Sequence, residues 1–494
     1  MSAAPKKLVL AVIDALSPEA LDRAIADDRA PVLAELVRRG DYARDCISTF
    51  PSLTPVAASA ITTGLGPDEH LIPSMNWYHR GEERYVEYGS SFPATRAFGV
   101  FRSLQDTVYN MNLAHLTQDH RTIFEQLDDA GLRTACTTYL IYRGRFRHEP
   151  AGDSRYRRLA EAAQFRHAVW GARELFYADL FDSRRTGCSS TLGMPGQRDR
   201  HAGCVGSRLV EDDLFDFLLL SLPDNDTHSH RLGPEAQPTS IAEADRALER
   251  VFHAAGGVDE FLVDHAVIVM SDHSQSRVEQ PVNLSHHLAD WRVLAPSDVA
   301  PEEAELAVCP GARSAMVYAL DADRRERLLP RLVRQLRGIE GVDLTAWRDA
   351  RPGTGGEEAV VASLAGELRF APGEDLADGR GARWSVDGEL AVLDLAIDDG
   401  ELRFGDYPDA LGRLWSALDC PRAGDVLLSA TPGYEFVDWG GSHHQDGGSH
   451  GSLHRCDSLG VLLTVGVDGL AEDRGQPHLR DVTPMIARHF GLTS

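Results

Sequence analysis

Lysine is nearly missing from this chain, occurring only at Lys6 and Lys7, so almost every cation is an arginine. A coding bias explains that well enough, but it leaves forked guanidinium groups as the available anion ligands. Positive charge is scarce overall: 50 Lys+Arg face 75 Asp+Glu, a formal net charge of −25. A surface of that sign repels phosphate backbones, which excludes extended nucleic-acid binding. The seven cysteines are odd in number, scattered and without a CxxC pair, so neither a disulfide framework nor a cysteine zinc site is expected. No run of 18 apolar residues occurs, and the early LVLAVIDAL is cut short by Asp14, too soon for a signal peptide. The expectation is a cytoplasmic chain without a membrane partner. Repeats and low-complexity tracts are also absent. What remains is 494 residues, 43% hydrophobic and 25% charged, enough to bury one large core or several smaller ones.

Apolar runs recur at Leu8 to Ile13, Leu132 to Ile141, Phe215 to Leu222, Ala266 to Met270 and Val461 to Val465, with helix or turn signals between them. Such runs read as buried parallel strands. After the first, Ser17-Pro18-Glu19 opens ALDRAIADD and VLAELVRRG follows, the pattern of a cap, a proline at the first helical position, an amphipathic helix and a glycine stop. Strand alternating with helix predicts an α/β fold with a mostly parallel central sheet and helices on both faces. Ligands of such sheets sit beyond the carboxyl ends of the strands, where Asp14, Asp226 and Asp272 stand.

The texture changes at about 301–424, where Asp387-Gly388 and Asp399-Gly400 act as hairpin signals between short alternating runs. This stretch is expected to be an inserted α+β cap, dividing a catalytic core into 1–300 and 425–494. A second, loop-rich insertion is expected at about 76–208, with the arginine-rich RGRFRH of Arg143 to His148.

Singly, the polar residues at strand ends read as caps and turn formers. The ordered set reads differently. Asp272-His273 follows the run AVIVM directly, and Asp226 and His230 lie four apart just after FDFLLLSL. His450 falls in the glycine-rich GGSHGSL, where backbone passes close to an ion without hindrance. Neighbouring carboxylates and imidazoles suit zinc. Thr54, in FPSLTPVAASAITTGLG, is expected at the N-cap of a helix beginning at Pro55, its hydroxyl at the positive end of the dipole. An anion is welcome there.

In order and context, Asp14, the Thr54 segment, Asp226-x-x-x-His230 with Gly233-Pro234, Ser271-Asp272-His273 and Gly448-Ser449-His450-Gly451 resemble the alkaline phosphatase superfamily. The closest branch is that of the type I phosphodiesterases and nucleotide pyrophosphatases. The resemblance covers roughly Lys7 to Ser274 and Gly424 to Leu492. It implies two divalent ions, zinc with manganese as the alternative, one held by Asp226, His230 and His450 and the other by Asp14, Asp272 and His273. It implies Thr54 as nucleophile, since Thr63-Gly64 follows at the family's spacing, with in-line attack, a covalent phospho-threonine and hydrolysis by water. Asn76 resembles the branch's phosphate-contacting asparagine, displaced by one residue in a gapless count.

Some positions depart from the family. Its FPNH after the threonine is here PVAA, with Ala57 where an asparagine is common, and Ser274-Gln275 replaces a Gly-Met type pair. Asp224 and His228 also satisfy the four-residue spacing, but Gly233-Pro234 follows Asp226 and His230 at the family distance. The pairs His443-His444 and His286-His287 read as solvated. Arg143, Arg145 and Arg147 read as a solvated face, with an anion clamp as the minority alternative. Trp77, Tyr78 and Tyr85 read as packing, or as a stack for a planar leaving group.

The leading expectation is a metal-dependent phosphoric ester hydrolase acting on small phosphorylated substrates, phosphodiesters or nucleotide-type pyrophosphates. A phosphomonoesterase and a phosphonate hydrolase are alternatives on the same scaffold. A catalytically silent phosphate-binding protein is the alternative of another class. Oligomeric state is not legible in the sequence.

Overall fold

The protein was analysed as a computed structural model, which describes residues 5–150, 167–296, 303–349, 358–467 and 475–492. The start of the expected insertion near Pro301 and part of the 76–208 segment lie outside the described residues. In the strand Lys7–Ile13 the side chains alternate between two cores: Leu8, Leu10 and Val12 enter one, Val9, Ala11 and Ile13 the other. A strand buried on both faces needs a layer over each. The first layer is the helices Pro18–Ala26, Pro31–Arg39, Arg198–Glu211 and Gln237–His253. The second contains the helices Thr54–Thr63, Ile123–Asp129 and Val482–His489 together with part of a second sheet.

The central sheet has eight strands in the order Asp41–Ile47, Leu459–Val465, His265–Met270, Lys7–Ile13, Phe217–Leu222, Thr134–Thr137, Glu174–Tyr177 and Phe181–Asp182. The five from His265–Met270 to Glu174–Tyr177 are parallel, four of them at the predicted apolar runs and Glu174–Tyr177 in addition. Leu459–Val465 is antiparallel to both of its neighbours, which corrects the parallel reading of that run. An unbroken apolar run reports burial on two faces; it carries no direction. Ser17 caps Pro18–Ala26, its hydroxyl accepting from the Ala20 amide at 3.2 Å.

Residues 306–430 build the nine-stranded second sheet, mostly antiparallel, with the helices Arg325–Arg337 and Ala410–Asp419. Its strand Val426–Ala430, although last in sequence, lies between Ser314–Ala319 and Val342–Asp349. Asp399-Gly400 is a two-residue hairpin turn between Leu395–Asp398 and Glu401–Phe404, with both residues at positive φ (49° and 82°) as a primed turn requires. Asp387-Gly388 does not turn the chain: it ends the strand Arg383–Gly388 within the ladder. Two arginines tie this sheet to the core. Arg313 is buried against Asp457 at 2.6 Å, and Arg413 donates to the carbonyls of Thr49 and Leu453.

Cys188 and Cys204 form a disulfide, contrary to the expectation that none would occur. Their spacing carries no recognisable pattern; the loop after Phe181–Asp182 folds back onto Arg198–Glu211 and brings the thiols together. Among the described residues no helix is long and apolar enough to cross a membrane.

Candidate active site

Three adjacent strands deliver the carboxylates to one edge of the sheet. Val12 stands opposite Met270 and Ile13 opposite Leu222, so the residues just past those strands share one ledge. Asp14 leaves the first strand with its amide bonded to the Leu222 carbonyl at 3.1 Å. Asp272 follows Met270 by two residues and accepts from the Ala15 amide at 3.1 Å. The helix Asp224–Leu232 starts after Phe217–Leu222, and one helical turn sets His230 Nε2 3.3 Å from the Asp226 carboxylate. His450 arrives from a distant turn, its Nε2 3.6 Å from the same Asp226 oxygen. Gly451, at φ +118°, has room only for a hydrogen where Leu53 and the backbone of Gly311 and Arg313 close in.

The ligand atoms of Asp14, Asp272 and His273 lie within 4.8 Å of one another, as do those of Asp226, His273 and His450. His273 belongs to both trios. His230 reaches the second through Asp226, and its ring lies 5.1 Å from that of His450, tilted by 47°. The rings of His273 and His450 are stacked at 3.7 Å. Each of the three histidines has its Nδ1 against a backbone carbonyl: His230 on Gly448 and His450 on Ser52, both at 2.8 Å, and His273 on Ser274 at 3.2 Å. A carbonyl only accepts, so each Nδ1 carries a hydrogen and each Nε2 is the nitrogen turned toward the carboxylates.

Thr54 is the first residue of its helix and Leu53, in extended conformation, is the N-cap, one residue earlier than expected. The Val56 and Ala57 amides close onto the Leu53 carbonyl, so the Thr54 hydroxyl has no cap to make. It lies 3.2 Å from His273 Nε2. From Pro55 to Thr63 every residue of this helix is buried, Ala57 included, so the PVAA departure lies within the packed core.

Burial is the largest influence on each of these groups. Burial, reinforced by Asp272 and Asp226, pushes the Asp14 carboxyl well above its usual range. Burial also raises Asp272 to about 6. For Asp226 burial again pushes up, but the imidazole of His230, followed by those of His450 and His273, overcomes it and holds the carboxyl low. His230 is raised to about 9, the pull of Asp226 exceeding the opposing effect of burial. Burial lowers His450 to about 3, with His273 adding to it, and lowers His273 to about 4. Asp14 Oδ1 is buried with no hydrogen-bond partner among the described residues. Three clustered carboxylates, an orphaned oxygen and three inward-facing imidazole nitrogens form a donor set that fits divalent cations of the zinc type.

The other candidates take ordinary structural roles, several of them as expected. Arg143 is neither solvated nor a clamp: it is buried, bonded to Glu125 and to the carbonyls of Thr117 and His120. Arg145 pairs with Glu125 and Asp129, and Arg147 with Glu149. Trp77, Tyr78 and Tyr85 are buried in the core as packing. Asn76 is buried, its amide donating to Glu87 at 2.9 Å and to the Val86 carbonyl at 3.4 Å. Asp224 accepts from the amides of Gly196, Arg198 and Asp199 and docks one helix start on another. His286, His287 and His443 are exposed.

His444 is the histidine that sequence reasoning missed. Its ring lies 4.1 Å from that of His230, and its Nδ1 is 2.7 Å from the buried Glu435. Proximity to His450 was its one sequence signal; Glu435 had none. Gln275 was noted only as a departure, yet its amide donates to Asp226 Oδ1 at 2.5 Å.

No curated protein matches the chain by sequence. Among solved structures it is similar to phosphonoacetate hydrolase from Sinorhizobium meliloti 1021 in complex with phosphonoformate. There the identity is 16%, coverage 99% of this chain and 96% of the other, and the TM-score 0.55. It is similar also to murine ectonucleotide pyrophosphatase/phosphodiesterase 5, an inactive form in complex with AMP, at 11% identity, the same two coverages and TM-score 0.55. The human protein of that name gives 12% and 0.54, again over 99% and 96%. At such identities these likenesses establish an alkaline-phosphatase-like fold. The sequence model of the type I phosphodiesterase/nucleotide pyrophosphatase family matches residues 8–345, well over half of the sequence, and the chain therefore belongs to that family of phosphoester hydrolases.

Proposed function

We propose that this chain is a metal-dependent hydrolase of phosphodiesters or nucleotide-type pyrophosphate bonds, with Thr54 as its nucleophile. The observation that carries the reading is the Thr54 hydroxyl, released from capping duty and 3.2 Å from the imidazole that both carboxylate trios share. Two divalent cations, zinc with manganese as alternative, held by Asp226, His230 and His450 and by Asp14, Asp272 and His273, would polarise the phosphoryl oxygens and lower the hydroxyl pKa.

The helix Thr54–Thr63 turns its positive end toward an incoming phosphate. Thr54 Oγ bonds to phosphorus as the opposite ester oxygen leaves, and the hydroxyl proton passes to solvent. Water then cleaves the phospho-threonine, releasing the phosphorylated product and restoring the hydroxyl. The three backbone carbonyls keep each Nε2 aimed inward throughout. Asn76 serves as a phosphate contact once its amide turns from Glu87. The expected division into a catalytic core of 1–300 and 425–494 and a cap of 301–424 is kept with its second boundary moved past Ala430, since Val426–Ala430 pairs within the second sheet. A monoesterase needs further cations around the third phosphate oxygen. The arginines Arg143, Arg145 and Arg147, best placed in sequence to supply them, are committed to carboxylates and carbonyls, which favours the diester. The Cys188–Cys204 bridge favours an oxidising compartment over the cytoplasm.

Turnover of bis(p-nitrophenyl) phosphate, p-nitrophenyl phosphate and phosphonoacetate, with and without chelator, tests the reading. The expected result is diester cleavage that chelation abolishes and zinc restores, with a lesser rate on the monoester. Thr54→Ala should lose at least about 100-fold in kcat while keeping its metal content. Undiminished turnover in that variant rules out Thr54, and metal binding without cleavage of either ester or the phosphonate points to a silent phosphate binder.

A further inference from the structure

Glu435 closes the strand Gly433–Phe436, in a segment that no part of the catalytic reading uses. Its carboxylate is 1% exposed, yet every hydrogen bond it accepts comes from the loop that carries His450. Oε1 takes the Ser449 hydroxyl and His444 Nδ1, both at 2.7 Å, and Oε2 takes the His444 amide at 2.5 Å. Ser449 immediately precedes His450. Gly448, one residue earlier, offers the carbonyl that fixes His230 Nδ1. His444 itself lays its ring against His230 at 4.1 Å and 31°, within range of an offset aromatic contact. The loop cannot drift from the helix it serves: a side chain at Gly447 would collide with the His230 carbonyl, and one at Gly448 would meet Ser229.

One buried carboxylate thus reaches both imidazoles of a single ion site, and that site meets the other at the stacked rings of His450 and His273. Asp14, Asp272 and His273 are held by different partners, the Ala15 amide and the Ser274 carbonyl. The approach to His230 is doubled, through the His444 ring on one side and the Gly448 carbonyl on the other. Burial would disfavour the Glu435 charge, but the bonds from His444 and Ser449 hold it ionised below the usual glutamate range. A charged anchor of this kind grips its donors more tightly than a neutral one.

We infer that Glu435 and His444 are positioning residues that fix His230 and His450 for one cation of the pair, the one shared with Asp226. The inference rests on the metal-dependent reading above. Partners of this kind, behind the ligands themselves, typically change metal affinity by about 10–100-fold.

The test uses the full chain, stripped with chelator and titrated by calorimetry with zinc, the parent also with manganese, beside urea unfolding of the zinc-free protein. The parent is expected to take up two ions. Glu435→Gln, which keeps the side-chain shape, and His444→Ala should each weaken one ion by about 10–100-fold and leave the other within about twofold. Their zinc-free unfolding midpoints should stay near that of the parent. His443→Ala, one residue away and exposed, should change neither ion. The inference is overturned if both variants bind two ions as the parent does. It is equally overturned if both ions weaken together with a fall in the zinc-free midpoint, since that is a general structural defect. A parent that binds neither zinc nor manganese overturns the metal-dependent reading itself.

Discussion

Asp199 is a buried carboxyl with no cation of its own. Its Oδ1 accepts from the Asp224 amide at 3.0 Å, while Oδ2 has no partner among the described residues. Burial, with the neighbouring Asp224 charge, raises it from the usual 3.8 to about 8. Between about pH 4 and 8 the folded chain therefore keeps a proton that the unfolded chain has lost. Stability from this group is full below that window and drains away as pH rises through it. Asp199→Asn keeps the acceptor, supplies an N–H in place of the orphaned oxygen and removes the charge. The variant should unfold at higher urea than the parent at pH 8, by on the order of 1–3 kcal/mol, and at nearly the same urea at pH 5. Equal gains at both values would contradict the assignment.

Much of the candidate site was legible residue by residue. Asp14, Asp226, Asp272 and His273 lie within four residues of the ends of apolar runs, and a parallel sheet sends the ends of neighbouring strands to one edge whatever the loops do. His450 was legible through its glycines. His444 and Glu435 were not, because a histidine in a polar loop and a glutamate in a short strand acquire meaning only from what lies across the fold.

At the scale of elements, Arg313 joins the second sheet to the turn that carries His450. Its amide donates to the His450 carbonyl at 2.8 Å and its guanidinium to Asp457, Tyr434 and Thr431. Removing one partner of a buried pair leaves the other uncompensated, whereas removing both is far milder. Arg313→Met should cost about 3–5 kcal/mol in urea unfolding, and adding Asp457→Asn should recover part of that loss. An additive double variant would mean that the pair does not act as a unit. The elements were legible where local chemistry decides them. Ser17-Pro18 starts a helix, and Asp399-Gly400 tolerates positive φ at two successive residues. Strand direction at Leu459–Val465 was not, since its pairing with Asp41–Ile47 and His265–Met270 is settled by the whole topology. Nor was the start of the Thr54 helix, where extended Leu53 takes the cap and frees the hydroxyl.

At the scale of the molecule, the Cys188–Cys204 bridge closes a loop with a sequence separation of 16. Chain-entropy arguments assign a loop of that size about 3 kcal/mol. Cys188→Ser should lower the unfolding midpoint accordingly. The parent should show two fewer titratable thiols under denaturing, non-reducing conditions than after reduction. Equal thiol counts in the two conditions would show that the bridge does not form in the isolated protein.

Because Asp41–Ile47 pairs in the central sheet with Leu459–Val465, a strand made early on the ribosome waits for one made almost last. At about 5–20 residues per second the nascent chain carries that unsatisfied edge for tens of seconds. Its sequence, DYARDCI, spends three of seven positions on charge, which keeps such an edge from recruiting a neighbouring chain meanwhile. Synthesis halted before the last fifty residues yields most of the mass of the protein but neither His450 nor Leu459–Val465, the strand that joins Asp41–Ile47 to the rest of the central sheet.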